Sequence, residues 1–341
     1  MGVTVFFVLS GFVLTVTYGN ALADASPAKT WNYAVARTAR VMPLYLLVLL
    51  FVVAGGINAS PLSKVWWHFL AIQAWSGDVR LAYSWNGPGW SVGVEFFLYA
   101  MFPMLILLTR FLTSTRRVVV LAILVVAAMT AFVILFHHTG YDGLPPSNPA
   151  SAHRWIYRSP LLRLGDFTLG ICGAMVYARE RHRKNLVKAA PFVAAAMSVL
   201  IVAFMMTAPL SSTSFAYDLA YAAPGAVLIL GLALSPDRGI ARLLGSVTLV
   251  ALGELSYGFY LLHEPIGTMV IGGRLSNGFT PVGVGFFVVG LLILVVLSWA
   301  LHVSFERPAR VFLRKRLSIS PARRSESAVT GETIGTRQPP G

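Results

Sequence analysis

The stretch Val118-Val-Val-Leu-Ala-Ile-Leu-Val-Val-Ala-Ala-Met-Thr-Ala-Phe-Val-Ile-Leu-Phe136 carries no charge and a single hydroxyl, Thr130. At 1.5 Å per helical residue such a run covers about 30 Å, the thickness of a bilayer's hydrocarbon core. Arg116 and Arg117 stand at one end and His137 and His138 at the other, so the run reads as a membrane-spanning helix. Runs of the same kind recur around it, at about 3 to 19, 41 to 58, 90 to 110, 162 to 179, 189 to 208, 216 to 235, 248 to 271 and 281 to 304, which makes nine candidate spans. Backbone polar groups in hydrocarbon need partners within their own segment, so the fold class expected is all-α, a polytopic integral membrane protein. The alternating short strands of a membrane barrel are not seen.

Composition points the same way. Of 341 residues 56% are hydrophobic and 12% charged, with a mean hydropathy of +0.71, which leaves no room for a large water-soluble domain. Lys and Arg number 27 against 13 Asp and Glu, a net charge of +14. In a polytopic chain that excess reflects basic loops held on the cytoplasmic side rather than nucleic-acid binding, so the expected partner is the lipid bilayer of the cell membrane and not nucleic acid. The connections after the first, third, fifth and seventh spans, with the C-terminal tail, hold 21 of the 27 cations, which places the C-terminus in the cytoplasm. Met1 then falls on the outer face at the head of an apolar run, and one helix is expected to precede it in the complete protein. The single Cys172 lies in an apolar run, leaving neither a disulfide framework nor a thiolate metal cluster.

Residues 1–316 read as one membrane domain and 317–341 as a disordered basic tail, with Arg314, Lys315, Arg316, Arg323 and Arg324 against anionic headgroups. The connection at 59 to 89 carries Trp66, Trp67, Trp75 and Trp85 and reads as an interfacial element. Residues 138 to 161 read as a second external loop, rich in Gly and Pro. Neither an internal repeat nor an inverted pair of broken helices is seen.

Ionisable groups at membrane depth cost about 2.5–3.5 kcal/mol each, so the few present are where chemistry is sought. Arg37 and Arg40 lie on one helix face and can either hold a phosphorylated donor or serve as positive-inside anchors. Ser91 and Glu95 share a face with Tyr99 after Gly87-Pro-Gly-Trp90; Glu95 can hold a base, position a hydroxyl acceptor, or snorkel to the interface. In the eighth span Glu254, Tyr257, Tyr260, His263 and Glu264 crowd one helix, with Tyr257, Tyr260 and Glu264 within about 60° of one another. His263, the one histidine read inside a helix, is either a general base or a hydrogen-bonded bundle residue. Arg163 and Asp166 read as an internal ion pair, and His137 and His138 as solvated. The seven histidines show no metal-site spacing, so no metal is expected, and a serine nucleophile elbow is absent.

Phe6-Phe-Val-Leu-Ser-Gly-Phe12, Arg37-Thr-Ala-Arg40 with Pro43 and Tyr45, Trp90-Ser-Val-Gly-Val-Glu95 with Tyr99 and Pro103, Leu252-Gly-Glu-Leu-Ser-Tyr257 running into Tyr260-Leu-Leu-His263, and Phe305-Glu-Arg-Pro308 follow in order. Together they closely resemble the membrane acyltransferase-3 family over about residues 1 to 315. The resemblance implies a ten-helix membrane enzyme that moves an acyl group, commonly acetyl, from acyl-CoA to a hydroxyl of a surface glycan, lipid-linked sugar or secreted small molecule. It implies acyl-CoA as co-substrate with no bound cofactor, Arg37 and Arg40 as donor contacts, and Glu95 as the acid of the Trp-Ser-x-x-x-Glu string. His263 is carried with Glu95 as a catalytic candidate, and Ser10, Trp90, Ser91, Tyr257, Tyr260 and Glu264 as supporting residues.

Two departures stand out. Gly165 and Asp166 occupy places where Pro followed by Glu or Gln is usual in the family. The family's first helix, with a basic residue and a catalytic His eleven positions on, has no counterpart, so the chain as it stands is expected to insert in membranes without turning over. The rival readings are a non-enzymatic transporter or sensor and a paralogue that has lost catalysis.

Overall fold

A computed structural model describes residues 2–206, 218–271 and 280–319. Each of the nine apolar runs falls on one long helix: α1 (Gly2–Leu22), α2 (Pro27–Ala54), α3 (Gly89–Thr109), α4 (Thr115–His138), α5 (Pro160–Glu180), α6 (Lys184–Met206), α7 (Leu219–Leu234), α8 (Val247–Ile266) and α9 (Pro281–Leu301). A tenth, α10 (Arg307–Leu317), follows α9 through a π turn over His302–Glu306, where the sequence showed only a basic cluster. No strand occurs among the described residues, and the chain is an all-α polytopic membrane protein.

Among the described residues, seven helical stretches are long and apolar enough to cross a membrane, against nine spans expected. The two others are α7, whose 16 residues cover only about 24 Å, and α8, whose run is diluted by Glu254, His263 and Glu264. Of the expected tail, Leu317 closes α10, and Ser318 and Ile319 continue beside α2; residues 320–341 lie outside the described residues.

Lipid tails are as apolar as leucine, so these helices associate through close packing and internal polar bonds rather than through the hydrophobic effect. Helices α1 and α5 show how close: a Cβ at Gly11 would fall on the Phe167 carbonyl oxygen, and one at Gly170 on the Val8 carbonyl oxygen. The same pair is tied by Arg163, whose side chain is entirely buried. Its Nη1 donates to Thr4 Oγ1 at 2.9 Å, to Asp166 Oδ2 at 2.9 Å and to Asp218, while Nε and Nη2 donate to the Tyr157 carbonyl at 2.8 and 2.6 Å. The expected Arg163–Asp166 pair is therefore part of a larger network in which Asp218, at the head of α7, joins three helices.

The connection between α2 and α3 is a folded plug of single turns. Trp66 and Trp75 are exposed as expected, but Trp85 is buried at 1% exposure, its ring edge-on to His68 at 5.0 Å. His68 is also fully buried, and its Nε2 lies 3.0 Å from the Leu81 carbonyl, which only accepts, so Nε2 carries the proton. Burial holds the His68 imidazole down at about 4, well below the ordinary 6.5, and it is neutral in the fold. At the other loop, His137 is solvated as expected and pairs with Asp142 at 2.6 Å.

Two outcomes follow. Gly170→Ala pushes a methyl into backbone and costs about 1–3 kcal/mol, read as a lower unfolding temperature in detergent, whereas Gly173→Ala makes only an ordinary contact with Phe12 and leaves it unchanged or raised. Because the unfolded chain takes up a proton near 6.5 and the fold does so only near 4, the contribution of His68 is complete above pH 6.5 and is lost as the pH falls from there to about 4. Unfolding measured across that window should weaken with acid, and His68→Asn should flatten the slope.

Candidate active site

Helices α1, α2, α3 and α8 line a half-open cavity of about 540 Å³. Of the residues singled out in the sequence it brings together Ser10, Arg37, Arg40, Ser91, Glu95, Tyr99, Tyr257 and Tyr260. The periodicity explains why: Ser91, Glu95 and Tyr99 repeat every four residues on α3, Arg37 and Arg40 every three on α2, and Tyr257 and Tyr260 every three on α8, so each set faces one way. Phe6, Leu9, Val13 and Leu14 of α1 supply an apolar wall.

The polar groups are graded along the cavity. At one end Ser91 Oγ and the Tyr260 hydroxyl lie 2.7 Å apart, and both can donate to the Pro88 carbonyl, at 3.0 and 3.2 Å. In the middle sits Glu95, 5% exposed, accepting a short hydrogen bond from the Tyr99 hydroxyl one turn along α3. Tyr257 donates to the Val41 carbonyl at 2.9 Å, fastening α8 to α2 beside it. At the far end the Arg37 guanidinium lies over the rings of Tyr18 and Tyr99, at 5.1 and 5.9 Å, and donates to the Tyr18 hydroxyl at 3.1 Å. Its buried Nε has no hydrogen-bond partner among the described residues. Some 12 Å of helix separates Ser91 from Tyr99, so the arginines and the serine mark opposite ends of one space.

Arg40 differs from Arg37 in having a dedicated counter-ion. Its Nη1 meets Glu306 Oε1 at 2.7 Å, and the other carboxylate oxygen of Glu306 lies 3.0 Å from His302 Nδ1. Glu306 is 1% exposed and sits in the π turn that joins α9 to α10, where the widened helix turns both side chains toward α2. His302 was not singled out from the sequence, although it too lies within continuous helix, which corrects the reading of His263 as the one helical histidine. The signal available was the His-x-x-x-Glu spacing just ahead of Arg307-Pro308.

Three expected site residues lie elsewhere. His263 is not on the cavity wall: its side chain is exposed, with Nδ1 2.6 Å from the Tyr260 carbonyl. Glu264 continues the face of Tyr257 and Tyr260 beyond the cavity, where it takes the Gly87 N–H and the Asn58 amide at 3.1 Å and so anchors the α2–α3 plug to α8. Trp90 is buried at 3% exposure behind the serine end, against Tyr83 and Tyr157. Among the described residues, no group of three or more His, Cys, Asp and Glu is placed to hold a metal ion.

A family model described as an acyltransferase domain matches residues 1–303. The chain is 28% identical over 340 residues to the acyltransferase MdmB of Streptomyces mycarofaciens, covering 94% of this chain and 84% of that protein. It is 23% identical over 298 residues to the putative peptidoglycan O-acetyltransferase YrhL of Bacillus subtilis, covering 78% of this chain but only 44% of that one. Nodulation protein 10 of Rhizobium leguminosarum bv. viciae is 25% identical over 351 residues, covering 94% of this chain and 85% of it. No solved structure matches.

The Arg40–Glu306 contact can be weighed by a double-mutant cycle. Arg40→Ala and Glu306→Ala should each lower thermal stability in detergent, with a coupling between them of about 0.5–3 kcal/mol, whereas Arg37→Ala should not couple to Glu306→Ala.

Proposed function

This chain belongs to the acyltransferase domain family, and from that premise we propose that it moves an acetyl group from acetyl-CoA to a hydroxyl of a surface glycan, lipid-linked sugar or secreted small molecule. The observation that carries this reading is one cavity joining two guanidiniums, a buried carboxylate and a hydroxyl pair in that order. Arg37, with an unused buried donor, and Arg40 take the phosphates of CoA by charge-assisted hydrogen bonds. The acceptor comes from the Ser91–Tyr260 end, where two hydroxyls and the Pro88 carbonyl can hold a third hydroxyl. The arginine end, with the head of α10 beside it, then faces the cytoplasm, as the distribution of basic residues supports.

In the transfer the acceptor oxygen attacks the thioester carbonyl, the new C–O ester bond forms, the C–S bond breaks, and the hydroxyl proton passes to the departing CoA sulfur. Glu95, midway between the two ends and already paired with the Tyr99 hydroxyl, accepts that proton from the hydroxyl and returns it. The names of the relatives, an acyltransferase and a putative O-acetyltransferase among them, support acyl transfer to oxygen.

Binding and transfer can be separated with labelled acetyl-CoA in membranes that hold the chain. Arg37→Ala and Arg40→Ala should each weaken donor binding about 10- to 100-fold, and Arg37→Lys should restore only part of it, since an ammonium lacks the bidentate fork. Glu95→Gln should leave donor binding intact and, in a chain that turns over, lower transfer about 10²- to 10⁴-fold. Unchanged donor affinity in both alanine variants rejects the donor site.

A further inference from the structure

Helix α10 is pinned to α2 at both ends. Glu306 at its head holds Arg40. At its foot the Leu317 carbonyl accepts from Trp31 Nε1 at 2.8 Å, and Ile319 exchanges two hydrogen bonds of 2.8 Å with the Asn32 side chain. At 100° per residue Ala309, Arg310 and Leu313 share one flank, which is the less exposed one, while Pro308, Val311, Phe312 and Lys315 share the other. On that outer flank Val311 and Phe312 are 60% and 59% exposed. Arg307 and Arg314 border this apolar ridge on one side and Arg316 on the other, its guanidinium 5.7 Å from the Phe312 ring centre. Phe312, Lys315 and Arg316 line a shallow hollow. From 307 to 319 there are five basic residues and no acidic one.

An apolar ridge bordered by cations fits neither water, which leaves the ridge bare, nor hydrocarbon, which leaves the cations unsolvated. It fits the headgroup boundary, where apolar side chains enter the acyl region and cations meet phosphates. We propose that α10 is a binding site for anionic phospholipid, with Val311 and Phe312 in the acyl boundary and Arg314, Lys315 and Arg316 on the headgroup phosphates. Because both pins of α10 are on α2, bound lipid holds α10 against the helix that carries Arg37 and Arg40. Lipid binding here is independent of which substrate the cavity takes.

The test places the full chain in nanodiscs of phosphatidylcholine, with or without phosphatidylglycerol, and follows amide hydrogen exchange over residues 307–319. Phosphatidylglycerol should slow exchange there several-fold, and high salt should reverse the effect. Each basic side chain near an anionic surface strengthens association about fivefold, so R314Q/K315Q/R316Q should weaken the phosphatidylglycerol response by about 100-fold in lipid concentration. V311S/F312S, which keeps every charge, should weaken it as well. Equal exchange in the two lipids, or an undiminished response in both variants, overturns the proposal. So does equal protection by inorganic phosphate in phosphatidylcholine discs, which would mark a free-anion site instead.

Discussion

The backbone contact between α1 and α5 is the constraint on which the rest of the arrangement depends. In lipid there is little hydrophobic gain from pressing one apolar helix on another, so the pair is held by what only close approach permits. Gly11 and Gly170 remove the two side chains that would keep the helices apart, and each faces a carbonyl of the other helix. Arg163 then closes the contact from one end, binding Thr4 of α1 and Asp166 of its own helix, and drawing in Asp218 of α7. With one face of α1 committed in this way, the face bearing Phe6, Ser10 and Val13 is left to line the cavity.

The charges of the bundle that bear on the cavity and on the α1–α5 contact divide by how they are held. Arg163 is fully buried with two carboxylates, an arrangement that costs heavily if broken and binds nothing from outside. The cavity groups are tied more lightly. Arg40 shares one nitrogen with Glu306, Arg37 rests on two tyrosine rings, and Glu95 takes a single tyrosine hydroxyl. Groups held at one point and open at others are oriented yet still able to receive a ligand, which is what a transfer site requires.

The α9–α10 junction connects the cavity to the surface of the bundle. A π turn brings Glu306, backed by His302, to bear on Arg40, and the same turn launches α10 along α2. The length of α10 and its three-sided pattern of inner flank, apolar ridge and cationic borders were not visible in the basic cluster at its end. Its order comes from Trp31 and Asn32, nearly 290 positions earlier in the chain.

The amino-acid sequence by itself determined the class and the helices, since a run of apolar residues long enough to cross hydrocarbon has almost no alternative to helix. It also determined which cavity residues share a face, because spacings of three and four on one helix are local geometry: Arg37 with Arg40, Ser91 with Glu95 and Tyr99, Tyr257 with Tyr260. Tertiary structure alone decided what lies between helices. It brought Asp218 to Arg163 across 55 residues and Glu306 to Arg40 across 266, and it left His263 exposed and tied Glu264 to Asn58 beyond the cavity although both follow the same string as Tyr260. It also buried Trp85 and His68 inside the α2–α3 plug while leaving Trp66 and Trp75 exposed. Helical periodicity orders residues around an axis but carries no information on which neighbour meets each face, and in a uniformly apolar bundle that choice rests on a few glycines and ion pairs too far apart in the chain to be read together.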